Sequence, residues 1–131
     1  DCFVHIRLGD VERYNPGVKY YDEILSRISC DNIFVSSDNV NHRIIKTLHG
    51  KYANLTIYNS PIEDTITFAS TCKHVILSYG TFSAIIGYLS FHSQVYCLRF
   101  CQRYAWDWSR PDECDLFQNK RSKVGEWKVC G

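Results

Sequence analysis

The sequence predicts an α/β domain: a Rossmann-like open parallel sheet of about five strands with helices on both faces. Three observations predict it. Strand-like and helix-like segments alternate four times, at intervals of about 20–30 residues. Several of the strand segments are continuous apolar runs, as strands buried on both faces are. Helical segments carry apolar residues at offsets of three and four, which is one face of an amphipathic helix.

The elements follow in order. Cys2 to Arg7 opens the chain with the strand formers Phe3, Val4 and Ile6, and Leu8-Gly9-Asp10 breaks the run. Asn15-Pro16-Gly17 is a turn signal, because Pro presets φ and Gly admits positive φ. Val18, Tyr21, Leu25 and Ile28 then mark a helix face. Asn32 to Ser36 is a second strand, and Ser37-Asp38-Asn39 offers a cap for a helix faced by Val40, Ile44, Ile45 and Leu48 and ended by Gly50. Leu55 to Tyr58 is a third strand. Ser60, Pro61 and Glu63 spell a capping box with Pro at the first helical position, and Ile62, Ile66 and Ala69 are expected inward. His74 to Ser78 is a fourth strand, Phe82 to about Ser90 a nearly all-apolar helix, and Gln94 to Leu98 a fifth strand. Residues 1–98 form one Rossmann-like unit on this reading. Residues 99–131, with Trp106, Trp108 and Trp127, are an irregular Cys- and Trp-containing extension.

Composition limits the function. The chain has 131 residues, 45% hydrophobic and 22% charged, which is globular and not disordered. A formal net charge of +1 carries no basic surplus, so no nucleic-acid partner is expected. Absence of Met and a start on Asp1-Cys2-Phe3 indicate a piece of a longer protein, so any membrane tie would come through a segment absent from this chain. Seven Cys are too few for a disulfide scaffold. Cys2, Cys30 and Cys72 are expected as buried thiols. Cys97, Cys101, Cys114 and Cys130 leave two readings open, one or two disulfides or a zinc site, and the loose spacing of the second pair disfavours zinc.

Ligands of open parallel sheets sit at the carboxyl ends of the strands, so the loops there hold the informative residues. The first is His5-Ile6-Arg7-Leu8-Gly9-Asp10. A period of two puts His5 and Arg7 on one face, and the planar fork of an Arg at a strand end suits a diphosphate. Asp10 either orients Arg7 or holds a hydroxyl; the bland alternative is a loop ion pair beside a core histidine. The second loop carries Asp38, which suits a ribose as well as a helix cap. The fourth, Ser78-Tyr79-Gly80-Thr81-Phe82-Ser83, puts a Gly, hydroxyls and free N–H groups at a helix N-terminus, either an anion site or a plain capped helix. Neither a Walker loop nor a G-x-G-x-x-G fingerprint occurs. Together with Asp64, these groups suit a nucleoside-diphosphate ligand met by protein groups, with no metal.

Three of these blocks resemble the fucosyltransferases, especially the alpha-1,2 enzymes and their relatives acting on protein O-fucose and N-glycan cores. His5-x-Arg7-x-Gly9-Asp10 is similar to their first motif, and Phe34-Val35-Ser36-Ser37-Asp38 to their strand ending in Ser/Thr-Asp. Glu63-Asp64, then Cys72-Lys73-His74 and the run to Thr81-Phe82-Ser83, is similar to their last motif. The resemblance spans residues 2 to about 98. It implies the C-terminal, donor-binding half of a GT-B-type transferase that moves fucose from GDP-fucose to a hydroxyl of a glycan or glycoprotein, inverting and without metal or other cofactor. Arg7 would hold the β-phosphate, Ser78, Gly80, Thr81, Phe82 and Ser83 would line the phosphates and base or sugar, and Asp38 and Asp64 would meet ribose and guanine. His5 would shape the first loop, and Asp10 is the candidate base beside Arg7. A Golgi lumen is implied for a eukaryotic source, and a cytoplasmic location for a bacterial or viral one. Two departures stand out: Leu8 replaces a second Arg, and Ala84-Ile85-Ile86-Gly87 replaces the alpha-1,2 continuation Trp-Trp-Gly. They motivate the alternative of a non-catalytic nucleotide- or glycan-binding module on the same fold. A receiver-type regulator is disfavoured, because no acidic cluster follows the first strand.

Overall fold

The computed structural model describes residues 1–9, 15–98 and 127–130. Strands β1 (Cys2–Ile6), β2 (Ile33–Ser37), β3 (Leu55–Ile57), β4 (His74–Ile76), β5 (Gln94–Leu98) and β6 (Lys128–Cys130) form one sheet in the order β3-β2-β1-β4-β5-β6. All five pairings are parallel. Helices α1 (Val18–Leu25), α2 (Arg43–Lys51), α3 (Ile62–Ser70) and α4 (Thr81–Leu89) make the crossovers up to β5. The expected α/β class and helices on both faces are therefore present. The sheet gains a sixth strand, because Lys128–Cys130 from the extension returns to pair with β5.

Strand alternation builds two cores. Cys2, Val4 and Ile6 of β1 pack with α1 and α2, where Tyr21, Ile24, Leu25, Ile45 and Leu48 are buried. Phe3, with Val75, Leu77 and Val95, faces α3 and α4 and meets Ala69, Ala84, Ile86 and Trp127. Every residue of β1 is buried, as befits a central strand under helices on both sides. Each such large side chain contributes on the order of 1.5–3 kcal/mol of transfer energy.

Several local expectations give way. Asp38 does not cap α2; His42 does, its Nδ1 accepting from the Ile44 amide at 3.1 Å. Gly50 lies inside α2, which ends at Lys51. The capping box of α3 does not form: Pro61 is the N-cap residue and no side chain caps the helix. Ser60 contributes its carbonyl instead, which accepts from Thr65 Oγ1 at 3.1 Å. This frame turns Thr65 and Ala69 inward and leaves Ile62 62% exposed.

Cys2, Cys30, Cys72, Cys97 and Cys130 are free thiols. Cys97 packs in the core beside α4, whereas Cys130 packs against the core on the opposite face. These two therefore do not pair with each other. Cys101 and Cys114, the other members of both readings, lie outside the described residues. Among the described residues no group of three or more metal-ligating side chains occurs, and no helix is long and apolar enough to cross a membrane.

Candidate functional site

The strand order reverses direction between β1 and β4, the two strands that start outward in opposite senses. Such a switch point opens a crevice at the carboxyl edge. The loops bordering it are those after β1 and after β4, so residues more than 70 positions apart in sequence meet there.

A chain of hydrogen bonds, partly to fully buried, zips these loops together. The Arg7 amide donates to Ser78 Oγ at 2.8 Å. The Ser78 amide donates to Ser83 Oγ at 2.9 Å, and Ser83 Oγ lies 2.9 Å from His5 Nδ1. A hydroxyl both donates and accepts, so the one oxygen serves the Ser78 amide and the His5 ring together. Burial pushes the His5 pKa down to about 4; nearby Asp38 opposes this and Arg7 adds to it. Phe82 completes the pocket, its ring edge-on to the imidazole at 5.1 Å between centroids.

The second flank is Asp38. Because β2 neighbours β1, the loop after β2 reaches the loop after β1. Asp38 Oδ1 accepts from the Leu8 amide at 2.7 Å, and Oδ2 lies 3.6 Å from the Arg7 guanidinium. On the third side, Asn15 Nδ2 donates to the Arg7 carbonyl at 2.8 Å and to the Tyr21 hydroxyl at 3.0 Å. Tyr20 OH donates to the Leu77 carbonyl at 2.7 Å, tying α1 to the end of β4.

The N-terminus of α4 faces this edge without a side-chain cap. Its N-cap residue is Gly80 with φ 105° and ψ 167°, a conformation open to glycine and strained for any other residue. Thr81 is exposed and Phe82 partly so. The first amides of such a helix are donors without an intrahelical partner, at the positive end of its dipole. Arg7 and the start of α4 thus lie on adjoining loops at one carboxyl edge.

Of the residues expected in the site, His5, Arg7, Asp38, Ser78, Gly80, Thr81, Phe82 and Ser83 come together at this switch point. Within that group His5, Ser78 and Ser83 are buried at 4%, 0% and 0% exposure and bond to protein groups. Asp64 stands apart: it is exposed in the first turn of α3, which follows β3, two strands away from β1. Asp10 lies outside the described residues. The sequence marks Asn15 only as part of a turn and Tyr21 only as part of a helix face, and it gives Tyr20 no place. Their polar atoms serve the site, and only an Asn at the first position of a Pro-Gly turn gave a sign of it.

Fold and site together define a Rossmann-like α/β domain whose switch point joins the strand-end Arg7 to the loop that opens α4. The model of glycosyl transferase family 11 matches residues 4–113, so the chain belongs to that family and is a glycosyltransferase domain. No curated protein and no solved structure matches it.

Proposed function

We propose that this domain binds the nucleoside diphosphate of a sugar donor, GDP-fucose, between the β1 and β4 loops. The sugar passes with inversion to a hydroxyl of a glycan or glycoprotein acceptor. The observation that carries the reading is the bond from the Arg7 amide to Ser78 Oγ. It joins the strand-end Arg to the loop that opens α4 at an uncapped N-terminus.

As the glycosidic C–O bond breaks, the electron pair goes to the departing diphosphate. Arg7 and the α4 amides stabilise that charge with groups already oriented before reaction. The acceptor oxygen bonds to the anomeric carbon, and its proton goes to a carboxylate, for which Asp10 is the candidate. Thr81, Phe82 and Gly80 line the phosphates. Ser78, Ser83 and His5 hold the loop that presents them. Asp64, two strands away at the start of α3, is the candidate for the base only if the donor reaches across β2. No metal is assigned. The acceptor site belongs to the other half of a GT-B-type enzyme.

Of the departures from the fucosyltransferase motif, Leu8 and Ala84 are buried in the two cores and Ile85 is half-buried, and they keep the non-catalytic module as the second reading. The test is calorimetric titration of the full-length protein with GDP, GDP-fucose, GDP-mannose and UDP-glucose, without and then with magnesium, followed by assay of transfer. Guanosine ligands that bind without metal, and lose binding in Arg7→Ala, support the reading, and the ranking of sugars names the donor. Binding without donor cleavage supports the non-catalytic module. No guanosine ligand bound by a folded protein overturns the donor assignment.

A further inference from the structure

We propose that Asp38 is a positioning residue: with Gly9 it forms a clasp that fixes the Arg7 guanidinium for the donor diphosphate, and it acts through Arg7 without touching the nucleoside. The inference rests on the donor reading above and departs from the ribose contact expected of a strand-end carboxylate.

Three observations converge on it. Asp38 Oδ1 is taken by the Leu8 amide at 2.7 Å, a charge-assisted bond to the backbone that fixes the plane of the carboxylate. Oδ2 then faces the Arg7 guanidinium at 3.6 Å. Gly9 makes room for this: a β-carbon there would fall on Asp38 Oδ2 and meet Cγ at 3.4 Å. So the residue between Leu8 and Asp10 must lack a side chain for Asp38 to lie against the loop. Backbone and side chain of Arg7 are thereby held from two strands, the amide by Ser78 beside β4 and the guanidinium by Asp38 beside β2. A long, flexible Arg loses much rotamer freedom when it grips a phosphate, and a carboxylate that pre-orients its fork reduces that loss.

The experiment compares the full-length protein with Asp38→Asn and Gly9→Ala. The probes are GDP and GMP by calorimetry, and the Arg7 Nε–H signal by NMR without nucleotide. Asn keeps an oxygen for the Leu8 amide but removes the charge facing Arg7. Asp38→Asn is expected to weaken GDP about tenfold, change GMP less than about twofold, and speed exchange of the Arg7 Nε–H. Gly9→Ala is expected to repeat this pattern by displacing the carboxylate. Equal weakening of GDP and GMP overturns the proposal, because it places Asp38 on the nucleoside. Unchanged Arg7 Nε–H exchange in the variants overturns it as well. If the unmodified protein binds neither nucleotide, the donor reading fails, and the Arg7 exchange still decides whether Asp38 holds Arg7.

Discussion

Ser83 Oγ lies 2.9 Å from His5 Nδ1, and this contact joins the middle of the sheet to the first turn of α4 across 78 residues of sequence. The same hydroxyl accepts the Ser78 amide. One oxygen therefore satisfies two buried groups at the point where the two site-bearing loops meet.

Removing that oxygen is expected to be costly for its size. Ser83→Ala leaves a buried amide and a buried imidazole nitrogen without a partner, each worth about 1–3 kcal/mol when unsatisfied. We expect a loss of about 2 kcal/mol or more in urea unfolding, with the slope unchanged. A variant as stable as the parent would mean that the Ser78 amide and His5 find other partners.

His5 makes stability depend on pH in a stated direction. Its folded pKa is lowered to about 4, from an ordinary value near 6.5, chiefly by burial. Between these values the unfolded chain binds a proton that the folded chain refuses, so acid favours unfolding. The contribution is intact above about pH 6.5, declines as the pH falls, and is fully lost below about pH 4, roughly 3 kcal/mol in all. Unfolding midpoints measured from pH 7.5 to 4 for the parent and for His5→Gln test this. The parent is expected to lose more stability than the variant across that window. Parallel curves would show that His5 titrates normally.

Much of this was legible from the residues. Continuous apolar strands and helical faces placed nine of the ten elements, since burial on both sides leaves a parallel strand little choice of composition. Site residues at strand ends followed from the fold class. What was hidden is long-range. Asp38 reads equally well as a cap for the helix that follows it, and only the adjacency of β2 to β1 turns it toward Leu8 and Arg7. Ser60-Pro61-x-Glu63 reads as a capping box, but Pro61 takes the N-cap place with φ −53° and ψ 159°, and that rotates Ile62 out to solvent. β6 has three residues and no alternation to announce it; its place comes from pairing with β5.

Gly80 is expected to resist substitution for a reason other than crowding. A β-carbon there would meet nothing within 4 Å, yet φ is +105°. Gly80→Ala should therefore cost about 1–3 kcal/mol in backbone strain. Relief by rotation would turn the first amides of α4 away from the crevice. Loss of stability together with weaker GDP binding is the expected outcome, measured by urea unfolding and calorimetry. An Ala variant equal to the parent in both would show that the loop does not need this conformation.

Gly87 presents the opposite case, a helix glycine kept by its neighbours. In the interior of a helix Ala is usually favoured over Gly by about 1 kcal/mol. At Gly87 a β-carbon would come within 2.6 Å of Leu77 Cδ1 and 2.9 Å of two Trp127 ring atoms. Leu77 is fully buried, Trp127 is 9% exposed, and both belong to the core under α4, so neither has open space to retreat into. Overpacking of this kind costs about 1–3 kcal/mol and outweighs the helix preference. Gly87→Ala is therefore expected to destabilise, and Trp127→Leu in the same chain to recover part of the loss, because the ring atoms are gone. The coupling isolates the contact: the two changes together should cost less than the sum of each alone. A stabilising Gly87→Ala, or strict additivity with Trp127→Leu, would mean that the C-terminal return does not lie against α4.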